Sequence, residues 1–240
     1  MVIYAVMTGE PINLLFAGGI IPGIIMGGFL MIYIALIGKR QNLPKEPRAN
    51  LRKVMRAFAQ AFFPLLAPLI IVGSILTGIC TPTEGGAVAV AYSLILGIIY
   101  RTIKMKDMIA SLKDTVLYTA VCLFLLSASG SYGWAITINK LPELVFSFMI
   151  VMTPSPVIAL LIVVAMLTFL GMIMSADAAL IITVPVLLSI AAGYHIDLIY
   201  MGVLAVVTLS IGVITPPVGI CLYVITAIVK LPFERVVRAT

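Results

Sequence analysis

Ile211-Gly-Val-Ile-Thr-Pro-Pro-Val-Gly219 stands near the middle of residues 198–229, a run of 32 residues without a charge. A membrane-crossing helix needs about 20 apolar residues. The run is therefore too long for one straight crossing, and each half beside the prolines is too short to cross alone. Neither proline can donate an N–H, and each disrupts the helix behind it. The sequence predicts a broken helix over 199–229. In hydrocarbon every freed backbone group needs a partner, so such a break survives only where protein or a watery cavity supplies one. Carbonyls of residues such as Gly212, Val213 and Ile214 lose their helical partners here, and Thr215 adds a hydroxyl. Hard cations accept carbonyl and hydroxyl oxygens, and the same chemistry extends to Na⁺. The plainer reading is a structural kink satisfied by a neighbouring helix.

Working outward, the same lack of charge organises the whole chain. Charge-free stretches cover residues 12–38, 57–83, 85–100, 115–139, 144–176, 178–196 and 198–229. Hydrophobic residues make up 62% of the 240 and charged ones 10%, with a mean hydropathy of +1.24. A soluble domain carries about 25% charged residues, so this surface must face lipid. The alternation of short apolar and polar positions that marks a membrane β-barrel is absent. The expected fold class is all-α: a polytopic membrane protein with broken helices and a re-entrant helical hairpin. The net charge of +6 sits in short loops, which is the topogenic pattern of membrane proteins and not a nucleic-acid surface. Residues 39–56 form one basic segment, expected on the cytoplasmic side and amphipathic from Ala49 onward, suited to lying along the membrane surface. Arg101, Lys104, Lys106 and Lys113 belong on the same side, with the turn at 81–86 on the far side and the tail 230–238 cytoplasmic. Cys80, Cys122 and Cys221 lack CxxC spacing and read as small hydrophobes. The apolar residues 1–7 lack the basic leader of a signal peptide.

Two more interruptions bear on function. Gly171-Met-Ile-Met-Ser-Ala-Asp-Ala-Ala179 carries Asp177, a lone acid between charge-free stretches of 33 and 19 residues. Acids within a membrane are costly and usually functional. One reading is the tip of a re-entrant hairpin, over 157–192, where Ser175, Asp177 and free carbonyls ligate a cation; the other is an ordinary extramembrane turn. Thr77-Gly-Ile-Cys-Thr-Pro-Thr-Glu-Gly-Gly86 offers Glu84 as an ion or substrate ligand, or as a helix cap with Thr83 at the N-cap. Ser127-Ala-Ser-Gly-Ser-Tyr-Gly133 and Pro185 read as further interruptions of their runs. Several broken segments in one chain are what transporters use to build sites at the bilayer midplane. Gly19, Gly23 and Gly27 form a small-residue face expected to pack closely on another helix. His195, beside Asp197, ends an apolar run and is expected at the membrane interface. One histidine gives no catalytic grouping and no metal cluster, and no phosphate-binding loop is present. The chain reads as no enzyme, with no cofactor.

Taken in order, Ala17-Gly-Gly-Ile-Ile-Pro-Gly23, Thr77-Gly-Ile-Cys-Thr-Pro-Thr-Glu-Gly-Gly-Ala-Val-Ala89, Leu141-Pro, Gly171-Met-Ile-Met174, Ile181-Ile-Thr-Val-Pro-Val186 and Ile211–Gly219 carry a family resemblance. Across the whole chain the sequence resembles the carboxy-terminal half of the large membrane subunit of the tripartite ATP-independent periplasmic (TRAP) transporters. The resemblance implies one half of an inverted-repeat transporter fold in a bacterial or archaeal inner membrane, crossing it several times. It implies Na⁺-driven, elevator-type import of organic acid anions, delivered by a periplasmic substrate-binding protein and assisted by a small membrane subunit. It also implies a first repeat, the amino-terminal half, before Met1 and a last helix beyond Thr240. Carried over residue by residue, the Na⁺ candidates are Ser175 and Asp177, with Gly212, Ile214, Thr215 and Pro216 around the break, and Thr81 and Thr83 as lesser ones. The family places an aspartate directly after the Gly-Met-x-Met-like run, where this chain has Ser175 and its acid two residues later. Residues that select the substrate are not legible. The alternative to a transporting permease is a half-permease that serves only as a structural or assembly partner.

Overall fold

Apolar runs without period-two alternation, in a solvent that offers no hydrogen bonds, leave the helix as the structure that satisfies its own backbone. The computed structural model describes residues 1–40, 50–229 and 233–239. Every regular element among them is helical: α1 (Val2–Thr8), α2 (Ile12–Arg40), α3 (Leu51–Leu76), α4 (Pro82–Ile99), α5 (Met105–Ile138), α6 (Leu141–Met152), α7 (Pro156–Ile173), α8 (Ala176–Gly193), α9 (Leu198–Ile214), α10 (Ile220–Val229) and α11 (Phe233–Ala239). Five of them are long and apolar enough to cross a membrane, and α3 makes a sixth if its bent halves are one span. The all-α, polytopic expectation holds. Of the basic segment, residues 41–49 lie outside the described residues, as do 230–232 of the tail.

The helices fall into two compact units. One comprises Ile12–Val116, and in it α3 packs on α4. Tyr92 on α4 donates its hydroxyl to the Phe63 carbonyl at 2.9 Å. Gly85 gives the start of α4 a close approach to α3, for a Cβ there would lie 3.3 Å from Ser74 Oγ. On the glycine face of α2, a Cβ at Gly23 or Gly27 would meet nothing within 4 Å among the described residues, so at these two positions the expected close packing is not made there.

The other unit comprises Met1–Pro11 and Leu117–Thr240. Its centre is α8, flanked by α1, α6 and α9, while α7 packs along α9. Ala159, Val163, Leu167 and Gly171 recur every four residues on α7 and are all buried, so a single stripe faces α9. From α9, Met201, Ala205, Leu209 and Gly212 answer it. At the end of this crossing Gly171 meets Gly212, where a Cβ on Gly212 would fall 2.8 Å from the Thr168 carbonyl oxygen and 2.9 Å from Gly171 Cα. Only two residues without side chains let the backbones come so close. Tyr4 on α1 is fully buried and donates its hydroxyl to the Leu198 carbonyl at 2.8 Å. Phe146 on α6 meets Tyr194 edge-on at 5.6 Å between ring centres. Tyr194 in turn donates to the Thr153 carbonyl at 2.8 Å, so the end of α8 is tied to the turn after α6.

The helix boundaries depart from the sequence reading in four places. Residues 127–133 do not interrupt α5; Ser129 returns its hydroxyl to the Leu126 carbonyl at 2.8 Å, so its polarity is absorbed inside the helix. Pro185 likewise sits within a continuous α8. The run 144–176 is divided at residues 153–155 as well as at Met174–Ser175; Pro154 and Pro156 were the available signal, since a residue before proline is pushed to extended backbone. Thr153 adopts ψ 124. Finally, α4 begins at Pro82 and is capped by Thr81, not Thr83, because proline is pre-set for the first helical position and moves the start upstream.

Candidate functional site

The proline pair stops α9 as the sequence demands. Pro216 and Pro217, joined by a cis peptide, have no N–H for the carbonyls of Gly212 and Val213 four residues earlier. The chain compensates partly. Thr215 N–H turns to the Gly212 carbonyl at 2.9 Å, and Thr215 Oγ1 donates to the Ile211 carbonyl at 2.7 Å. A hydroxyl that donates in this way keeps lone pairs for another donor or a cation. Gly219 then adopts φ 49, a left-handed conformation suited to glycine. Its N–H donates to the Met172 carbonyl at 3.2 Å. That bond joins the α9–α10 break to the last turn of α7, two residues before the second break at Met174–Ser175.

At the second break Met174 is extended, at φ −129 and ψ 168. Ser175 is the N-cap of α8 with backbone torsions of −63° and 147°, but its hydroxyl makes no capping hydrogen bond. Asp177 lies exposed in the first turn of α8, where the positive end of the helix favours an anion. Gly212, Ile214, Thr215, Pro216, Ser175 and Asp177 thus belong to one unit, at two breaks joined by a main-chain hydrogen bond. Among the described residues no three His, Cys, Asp or Glu side chains come together, so oxygen donors here are hydroxyls, carbonyls and one carboxylate. Residues 125–132 of α5 and 178–182 of α8 enclose a cleft of about 260 Å³ beside the start of α8. Its lining is apolar apart from Ser129 and Tyr132, and the sequence reading did not anticipate it.

Thr81 and Thr83 lie in the other unit, and in their turn Thr81 and Glu84 satisfy each other. Glu84 Oε2 accepts from Thr81 N–H at 2.8 Å and from Thr81 Oγ1 at 2.9 Å. Thr81 Oγ1 accepts from Glu84 N–H at 3.4 Å. This reciprocal pair is a capping box, and of the two duties open to Glu84 the structure shows the cap. Asp197 caps α9 in a simpler way, accepting from Tyr200 N–H at 2.9 Å. His195 is exposed in the turn before it, at φ 54.

Comparison with known proteins places the chain in a family. The family model for the tripartite ATP-independent periplasmic transporter, DctM component, matches residues 1–240. A sialic acid TRAP transporter large permease protein of Vibrio cholerae is 35% identical over 239 residues, covering 99% of this chain and 56% of that protein. A 2,3-diketo-L-gulonate TRAP transporter large permease protein of Escherichia coli is 34% identical, with the same coverage. A C4-dicarboxylate TRAP transporter large permease protein of Pseudomonas aeruginosa is 32% identical over 240 residues, covering 100% of this chain and 56% of its own length. The chain therefore spans about half the length of the curated relatives it matches. With the match running from the first residue to the last, and both breaks falling where the quoted motifs stand, the chain belongs to the DctM component family of the tripartite ATP-independent periplasmic transporters.

Proposed function

We propose that this chain forms part of the inner-membrane permease of a Na⁺-coupled symporter that imports organic acid anions. Its partners in that reading are a periplasmic binding protein, a small membrane subunit and the rest of the permease. The observation that carries the proposal is the bond from Gly219 N–H to the Met172 carbonyl, because it couples the break bearing Thr215 to the break leading to Ser175 and Asp177. In this reading the carbonyls of Gly212, Ile214 and Pro216 and the Thr215 hydroxyl offer oxygens to Na⁺ from one side. Ser175, whose hydroxyl no capping bond engages, and the Asp177 carboxylate offer them from the other. Hard cations need several such oxygens. Relatives named for sialic acid, 2,3-diketo-L-gulonate and C4-dicarboxylates support an organic acid anion as the substrate class.

The test is uptake into proteoliposomes that contain this chain with the remainder of a permease, a small subunit and a binding protein, with and without an imposed Na⁺ gradient. Accumulation only with the gradient is the expected result. Equal accumulation in both conditions removes Na⁺ coupling. No uptake, where a full-length relative works in the same assay, favours the half-permease that acts as a structural partner.

A further inference from the structure

The start of α3 is built differently from the rest of that helix. Arg52–Ala59 is bent by 53° from Ala61–Leu76, so the two cannot both lie along one membrane normal. At about 100° per residue, Arg52, Lys53 and Arg56 share one face of the first segment. Val54, Met55 and Phe58 fall on the opposite face, and Phe62 continues it. Both faces are exposed: Val54 by 50%, Met55 by 66%, Phe58 by 60% and Phe62 by 44%. The aromatic rings form a small cluster, with Phe58 and Phe62 at 6.1 Å and Phe62 and Phe63 at 5.7 Å. On the basic side, Asn50, Arg52, Lys53 and Arg56 line an open cleft of about 620 Å³. A short helix with a cationic face, an aromatic and aliphatic opposite face, and an abrupt turn into a spanning segment has the form of one lying in the bilayer interface.

We propose that this segment is a binding site for acidic phospholipid headgroups, with Arg52, Lys53 and Arg56 gathered on the phosphate and Val54, Met55 and Phe58 seated among the acyl chains. Charge complementarity selects the occupant. Three cations around one cleft match a headgroup of net negative charge, and the positive-inside rule puts this basic segment on the leaflet that attracts juxtamembrane basic residues. Asn50 supplies an amide for the glycerol or phosphate oxygens. The site lies wholly in the Ile12–Val116 unit and stands independently of the Na⁺ reading.

The test is native mass spectrometry of the full chain, released from micelles supplemented with equal amounts of phosphatidylglycerol and phosphatidylcholine. The expected preference for phosphatidylglycerol is about ten-fold, less than three separate surface charges would give because salt screens exposed groups. R52Q/K53Q/R56Q should bring the ratio close to one, and R52K/R56K should keep most of the preference. Equal retention of both lipids by the unaltered chain overturns the proposal, as does an undiminished preference in the triple glutamine variant. Should that variant fail to fold by circular dichroism, the unaltered chain decides: a ratio that declines between about 50 mM and 500 mM salt upholds the site, and a salt-independent ratio overturns it.

Discussion

Two turns in this molecule are written in nearly the same letters and finished in opposite ways. At the start of α4 stand Thr81 and, three residues on, Glu84; at the start of α8 stand Ser175 and, two residues on, Asp177. Each pairs a hydroxyl N-cap with an acid in the first turn. At α4 the acid is on the third helical residue and is a methylene longer, so it reaches back to the Thr81 N–H at 2.8 Å. The hydroxyl and carboxylate are both committed to the cap. At α8 the acid comes one position earlier on a shorter side chain, and the Ser175 hydroxyl makes no capping bond. One residue of spacing separates a turn that satisfies itself from one whose oxygens stay available. The second is also the turn joined, through Met172 and Gly219, to a helix broken by two prolines.

The hardest blow to the comparison comes from beside the uncapped turn. Gly212→Ala forces a Cβ to within 2.9 Å of backbone on α7, and overpacking of this kind costs about 3 kcal/mol. A large fall in melting temperature in detergent is expected. In the α4 turn, Gly86→Ala meets nothing within 4 Å and should leave the melting temperature unchanged or raise it slightly. Equal losses at both positions would show that the α7–α9 crossing is looser than its geometry states. Next in size, Thr81→Ala removes a working cap and should cost about 1 kcal/mol. Glu84→Gln should lower stability in the same direction, since a neutral amide serves the Thr81 donors less well. Smallest in stability are Ser175→Ala and Asp177→Asn, for which melting should hardly move. In the uptake assay, however, Asp177→Asn should raise the Na⁺ concentration for half-maximal transport several-fold with membrane insertion intact. A stability loss at Ser175 equal to that at Thr81 would erase the distinction between the two turns. An unchanged Na⁺ response would return Asp177 to the role of a turn residue.

Sequence reasoning reached the breaks that depend on missing donors. Pro216 and Pro217 cannot be accommodated in a helix without losing hydrogen bonds, so the end of α9 was legible from two letters. It also reached Met174–Ser175, where serine and aspartate supply the chemistry of a helix start. It failed where polarity is local. Ser127 to Gly133 looks like a gap in an apolar run, yet a serine that bonds its own preceding turn leaves the helix whole, and the small residues there border a cleft against α8. Pro185 misled in the same direction, because one proline inside α8 leaves the helix continuous. The join between the two breaks could not be found in the sequence at all, since it links atoms that every residue possesses.

That last point has a practical reach. Both ends of the bond from Gly219 to Met172 are main-chain atoms, so an alanine scan across residues 170–220 leaves its donor and acceptor chemically in place. A residue-by-residue survey would score Met172 by its thioether and Gly219 by its tolerance of a methyl group, and would assign the connection to neither. Only an edit to the backbone itself, an ester in place of the Gly219 amide, deletes the donor while leaving every side chain as it was.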